Sequence, residues 1–189
     1  MNFETDIKNC LAVLNQGGLI LYPTDTIWGI GCDATNKIAV DKIYALKKRN
    51  DEKSLIILLA DEKDIFQYIA NPHPQVFDYL KTTNKPTTVI YEDAINLAEN
   101  LINKDGSVAI RVVKDHFCKH LIKRFRKPIV STSANISGHS TPVFFDDIES
   151  VIKNGVDYIV QHRQNDLTIN LPSSIIKFNK DGSVIIIRS

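Results

Sequence analysis

The sequence predicts an α/β protein built on a twisted mixed β-sheet flanked by helices. Three observations carry that expectation. Strand-like apolar runs alternate with stretches of helical period along the whole chain. Leu55 to Leu59 is apolar at every position, as in a central strand covered on both faces by helices. The chain closes on two β-rich runs joined by Asn179-Lys180-Asp181-Gly182, whose Asp-Gly step is hairpin chemistry and brings antiparallel pairing into the sheet. No internal repeat, linker or shift in composition interrupts the pattern, so residues 1–189 are expected to form a single domain.

Taken in order, Ile7, Cys10, Leu11 and Leu14 recur at helical spacing, and Gly17-Gly18 stops that helix with residues that tolerate left-handed geometry. Leu19 to Tyr22 reads as the first strand. Pro23 removes a backbone donor and ends it, and the polar Thr24-Asp25-Thr26 leads into extended chain from Trp28 to Cys32. Asn36 is an N-cap before Val40, Ile43, Tyr44 and Leu46, which share one helical face. Beyond the charged run Lys47 to Lys53 lies the strand Leu55 to Leu59. Short helices are expected around Asp64 to Tyr68 and Gln75 to Leu80, a strand over Thr87 to Tyr91, and a helix near Ile95 to Ile102. After the turn at Lys104-Asp105-Gly106, Ser107 to Val113 is a strand and His116 to Phe125 a basic helix. Ile129 to Thr132 is a strand that runs into the small polar segment Ser133 to Gly138, and Ser174 to Phe178 with Val184 to Ile187 makes the closing hairpin.

Composition excludes several function classes. The 189 residues are enough for a continuous core, and 43% apolar with 24% charged residues rules out collagen-like or disordered chains. Lys and Arg number 23 against 22 Asp and Glu, a net charge of +1, so attraction to nucleic acid or membrane must come from a local patch. The N-terminus is polar and acidic, and the longest apolar run, Leu55 to Ala60, is too short to span a bilayer. A soluble, cytoplasmic protein without a membrane partner is expected. Cys10, Cys32 and Cys118 form no Cys-x-x-Cys pair and read as reduced, buried small hydrophobes.

The familiar motifs mostly fail in context. Gly29 to Ala34 fits G-x-G-x-x-A with Asp51 at a ribose-binding distance, but the glycines lie in an apparent strand and the helix starts only after Asn36. They read better as sites of close backbone packing. His116 and His120 share a helical face without a catalytic Glu, in a helix better read as a solvated basic surface with Lys119, Lys123, Arg124, Arg126 and Lys127. No P-loop and no G-x-S-x-G elbow occurs. What remains is three loops at strand or helix ends rich in hydroxyls and cations: Tyr22 to Thr26, Lys47 to Lys53 and Ser131 to Ser137. Hydroxyls, backbone N–H groups, the Arg49 fork and the Lys47 and Lys53 charges suit phosphate and carboxylate oxygens. Each charge-assisted hydrogen bond contributes about 1.5–3 kcal/mol, so a few aimed at a developing pentavalent phosphorus stabilise it without a covalent nucleophile.

These residues resemble the YrdC/Sua5 family of threonylcarbamoyl-AMP synthases. Tyr22-Pro23-Thr24-Asp25-Thr26-Ile27-Trp28-Gly29-Ile30-Gly31 is similar to the family signature, Lys47-Lys48-Arg49 and Ser133-Ala134-Asn135 match its K-x-R and S-x-N pairs, and Ser107 to Val112, Pro172 to Ile176 and Ile187-Arg188 extend the likeness in order along the chain. The resemblance implies a YrdC-like fold with a concave, electropositive cleft. It implies formation of threonylcarbamoyl-AMP and pyrophosphate from L-threonine, bicarbonate and ATP, with Mg2+ on the ATP phosphates, as a step of tRNA threonylcarbamoyladenosine modification. By match to the family, Thr24, Ser131 and Ser173 line the threonine pocket, while Arg49, Lys53, Thr88, Ser133, Thr141 and Arg188 contact ATP. Lys47, Asn135 and Arg111 complete the anionic cradle, with Lys47, Arg49, Ser133 and Asn135 as the catalytic set. RNA contact, and a downstream tRNA threonylcarbamoyl transferase complex, are the partners implied. Two other readings stand beside this one: a non-catalytic RNA-binding module using the basic helix Lys119 to Lys127, and a sister-branch enzyme with a different carboxylate substrate.

Overall fold

The computed structural model describes residues 3–48, 55–179 and 181–189. Among them nine strands join edge to edge in the order Tyr158–Ile159, Ile20–Tyr22, Gly29–Gly31, Ile129–Ser133, Ile56–Leu59, Val108–Val112, Thr87–Tyr91, Ser174–Phe178 and Val184–Arg188. Helix α1 (Glu4–Asn15) buries Ile7, Cys10 and Leu14, and Gly17 follows it at φ +68° as the left-handed stop. β1 (Ile20–Tyr22) and β2 (Gly29–Gly31) are antiparallel, and β2 pairs with β6 (Ile129–Ser133) so that Gly29 lies opposite Ser133. α2 (Lys37–Lys47) starts where expected, with the Asn36 side chain accepting from the Ala39 N–H at 3.2 Å.

β3 (Ile56–Leu59) sits between antiparallel β6 and parallel β5 (Val108–Val112); β4 (Thr87–Tyr91) then joins β5 antiparallel and β8 (Ser174–Phe178) parallel. The hairpin partner β9 (Val184–Arg188) closes that edge. α4 (His116–Phe125) is capped by the Asp115 carboxylate on the Cys118 N–H at 2.8 Å, and it packs against α1 through Phe117 and Phe3, rings 5.5 Å apart. α3 (Gln75–Thr82) runs two residues beyond its expected end. No helix among the described residues is long and apolar enough to cross a membrane.

The structure departs from expectation in four places. The helix near Ile95 to Ile102 is only a 3-10 turn, Glu99–Leu101. Its backbone is committed elsewhere: Ile95 N–H donates to Tyr68 O at 2.8 Å, Ala98 N–H to Ala34 O at 3.0 Å, and Asn96 adopts φ +57°. Those tertiary bonds outcompete the local ladder. The segment around Asp64 is likewise a 3-10 helix, Glu62–Gln67. A short α5 (Ser150–Asn154) and a two-residue β7 (Tyr158–Ile159) appear without any periodic signal. Finally, β3 is not helix-covered on both faces, because Ile56, Ile90 and Ala109 line an open cleft whose walls contain no helical residue.

The two β2 glycines are buried packing sites rather than phosphate-loop glycines. A Cβ on Gly31 would stand 2.6 Å from Tyr22 Cε1 and 2.8 Å from Val130 O, and one on Gly29 3.0 Å from Ser131 Oγ. Backbone cannot yield there as a flexible side chain would, so Gly31→Ala is expected to destabilise the protein by about 1–3 kcal/mol in a denaturant melt. An unchanged midpoint would show that the β2–β6 pair relaxes freely.

Candidate active site

The cleft forms because strand period and register put polar side chains on one uncovered face. Arg111 on β5 pairs with Thr88 on β4, Thr88 with Ile175 on β8, and Ile175 with Arg188 on β9. This row spans three strand steps, or ~14 Å between the arginine backbones. The next row carries Ser131 beside Ile56, and Ser133 lies one residue pair further along β6. The resulting cavity, about 370 Å³, is walled by Arg111, Ser131, Ser133, Thr141, Ser173 and Arg188 among others. Six of the residues expected from sequence are thereby brought together.

Charge is the main feature of this cavity. Arg111 is 3% exposed, with Nη2 3.2 Å from Asp25 Oδ1 in an ion pair that lacks hydrogen-bond alignment, while its buried Nε has no hydrogen-bond partner among the described residues. Arg188 donates through Nε and Nη2 to Ser173 O at 3.0 and 2.7 Å. Desolvation first, and the like charge of Arg111 second, hold the Arg188 guanidinium below its ordinary value. Two guanidiniums facing one cavity, each repelled by the other, form a receptor for anionic oxygens.

Beside the cleft the Tyr22–Ile27 loop folds on its own hydroxyls. Thr24 Oγ1 donates to Ile27 O at 2.9 Å and accepts from the Thr26 N–H at 3.1 Å, and it lies 2.9 Å from Thr26 Oγ1. Thr24 and Thr26 line a small adjoining pocket with Trp28, and Thr26 and Ile27 border both cavities. Asp25 and Thr26 therefore belong to the site although sequence reasoning assigned them no role. Their signal was present, since both fall inside the hydroxyl-rich loop.

Three expected ligand contacts stand behind the wall instead. Lys47 is 1% exposed and its ammonium donates to the carbonyls of Ser133 and, at 2.6 Å, Asn135. Its described bonds fasten the Ser133–Asn135 turn, and it is not among the residues lining the cavity. Asn135 donates from Nδ2 to Ile136 O and His139 O at 2.9 and 2.8 Å, locking the same turn. Thr88 is fully buried, its Oγ1 2.8 Å from Ser173 Oγ, so it aims the Ser173 hydroxyl from beneath. Arg49 and Lys53 lie outside the described residues.

Other candidate chemistry falls away. Burial pushes the thiols of Cys10, Cys32 and Cys118 well above their ordinary range, so none is a thiolate nucleophile at neutral pH. His116 and His120 stack at 6.5 Å, and no group of three or more His, Cys, Asp or Glu among the described residues is arranged to hold a metal.

Comparison with known proteins places the chain in a family and a fold. The model of the Sua5/YciO/YrdC family, described as telomere recombination, matches residues 12–189. The chain belongs to this family. Threonylcarbamoyl-AMP synthase of Pseudoalteromonas translucida is 31% identical over 187 residues, covering 97% of this chain and 98% of that protein. In fold, the chain superposes on P. abyssi Sua5 complexed with L-threonine with a TM-score of 0.86 at 21% identity, covering 98% of this chain and 54% of that one. It thus spans just over half of that Sua5. E. coli YciO gives a TM-score of 0.80 at 20% identity, with 98% and 89% covered. Membership of the Sua5/YciO/YrdC family and the mixed α/β fold follow from these matches.

Proposed function

We propose that this protein is an L-threonylcarbamoyladenylate synthase, a nucleotidyltransferase that forms threonylcarbamoyl-AMP and pyrophosphate from L-threonine, bicarbonate and ATP. The observation that carries the reading is that Arg111 and Arg188 line one cleft together with Ser131, Ser133 and Ser173. The name of the Pseudoalteromonas relative, matched over nearly its full length, supports it. Bicarbonate loses hydroxide to give CO2, which the threonine amine takes up with loss of a proton, so that water and a carbamate result; the carbamate oxygen attacks the α-phosphorus of ATP while the bond to the β-phosphate oxygen breaks and pyrophosphate leaves. Charge grows on the equatorial oxygens in that step, where fixed guanidinium and hydroxyl donors stabilise it most. Mg2+ arrives with ATP and shares the phosphate charge. The Thr24–Thr26 pocket takes threonine beside Ser131, and Arg49 and Lys53 are assigned to the phosphates from sequence.

The product is a mixed anhydride, so an acceptor must consume it before water does. A tRNA threonylcarbamoyl transferase complex is the partner we assign to that step, in the cytoplasm. The alternative RNA-binding reading loses force because four of the five cations from Lys119 to Lys127 are in ion pairs: Lys123 lies 2.9 Å and Lys119 3.8 Å from Asp61, Arg124 2.5 Å from Glu4, and Lys127 2.7 Å from Asp33. Phosphate contacts there would compete with existing ion pairs.

Pyrophosphate release decides the matter when ATP, Mg2+, threonine and bicarbonate are omitted in turn. Release is expected to require threonine and bicarbonate together and to be lost in Arg49→Ala. Release independent of both would point to a sister-branch substrate, and no release with no ATP binding would overturn the enzyme reading.

A further inference from the structure

We infer that Arg163 is a positioning residue for the threonine side of the reaction, holding the Pro23–Thr26 loop against the start of α4 and so fixing where the Thr24 and Thr26 hydroxyls stand. The inference rests on the reaction proposed above. Arg163 lies just beyond β7, remote in sequence from the loop, and adopts φ +64° although it carries a Cβ. Such strain persists only where the surroundings over-determine it.

The contacts of its guanidinium supply that constraint. Nη2 donates to Asp115 Oδ2 at 2.8 Å, Nη1 reaches Thr24 O at 3.4 Å, and the buried Nε has no hydrogen-bond partner among the described residues. Asp115 is itself the α4 N-cap, bonded to the Cys118 N–H, and Cys118 Sγ donates to Pro23 O at 3.4 Å. Consecutive carbonyls of the loop, Pro23 and Thr24, are therefore both held by groups organised around Asp115. Inside the loop Thr24 Oγ1 lies 2.9 Å from Thr26 Oγ1 and donates to Ile27 O, so the two hydroxyls move together, and the anchors outside the loop, Arg163 on the Thr24 carbonyl and Arg111 on Asp25, set its position. The planar fork sends separate nitrogens, Nη2 and Nη1, to the carboxylate and the carbonyl at a fixed spacing, whereas a lysine would have to serve both acceptors from one nitrogen on a flexible stem.

The test compares wild type, Arg163→Ala and Arg163→Lys in threonine-dependent pyrophosphate release, varying threonine and ATP separately. A second readout is the emission of Trp28, the single tryptophan, which lines the same small pocket as Arg163. In Arg163→Ala the KM for threonine should rise about tenfold or more while the KM for ATP changes less than about twofold. Arg163→Lys keeps the Asp115 ion pair and a normal melting profile, yet should still show the raised threonine KM. The emission of Trp28 should shift in the ligand-free alanine variant. Equal rises in both KM values, a lysine variant with the wild-type threonine KM, or unaltered kinetics overturns the role. Should wild type show no threonine-dependent release, the proposed reaction fails on its own, and Trp28 then decides: a shifted emission supports the brace and an unchanged one overturns it.

Discussion

Lys47→Met is expected to unfold the protein earlier and to lower pyrophosphate release at least hundredfold, because one buried ammonium holds the turn that carries Ser133. Its Nζ donates to the Ser133 and Asn135 carbonyls, and its own carbonyl accepts from the Ser137 N–H at 2.8 Å, so helix α2 is fastened to the β6 turn by side chain and backbone alike. Methionine fills the space of this 1% exposed side chain but leaves the two carbonyls without their ammonium donor. Charge-assisted bonds contribute about 1.5–3 kcal/mol each, so a loss of roughly 3 kcal/mol or more is expected. For a chain of this size that lowers the melting temperature by about 6–12 °C. The rate falls because a displacement of about 1 Å in a positioning group costs on the order of a hundredfold. Thermal melts and rates at saturating substrates check this together. Lost activity at an unchanged melting temperature would return Lys47 to the ligand and remove the positioning role.

Lys47 also shows where sequence reading runs out. The residues of the site were legible because they cluster in short loops of hydroxyls and cations, and because the family signature covers them in order. Most strands and helices were legible for a related reason: Asn36 and Asp115 cap, Gly17 stops, and apolar period does the rest. The direction in which a side chain points is a different matter. A lysine in a charged run reads as solvated, yet Lys47 falls on the inner face of α2 in its last turn and is 1% exposed. Thr88 reads as a pocket hydroxyl, but strand pairing places it under Ser173. The stretch Ile95 to Ile102 has helical spacing, and only the carbonyls of Tyr68 and Ala34, far away in sequence, draw its N–H groups out of a helix. β7 has two residues and exists only because β1 offers an edge to pair with. Register, burial and long-range partners are set by the whole sheet, so a local window does not contain them.

At the opposite end of the cleft, Arg188→Ala is expected to separate binding from stability. The Arg188 side chain closes the last turn of the site from an exposed edge strand, and its guanidinium is held near Arg111 with no acid of its own among the described residues. Removing it relieves like-charge repulsion and gives up part-buried bonds to the carbonyl of Ser173, a buried residue at the wall of the open cleft that water reaches once the guanidinium is gone, so ligand-free stability should move by no more than about 0.5 kcal/mol. ATP, by contrast, loses a charged donor to its phosphates. A charged hydrogen bond of about 1.5–3 kcal/mol corresponds to roughly ten- to hundredfold in affinity, so the KM for ATP should rise by that factor. The rise in melting temperature that ATP gives the wild type should shrink in proportion. Arg188→Lys restores the charge but not the fork, and should recover only part of the affinity, with greater sensitivity to added salt. These outcomes are coupled. A variant whose ligand-free melting temperature drops by many degrees would show that Arg188 serves mainly to hold Ser173 through its carbonyl, whereas a variant with an intact melt and lost ATP stabilisation places Arg188 on the nucleotide, with Arg111 as the second arm of the same anion receptor.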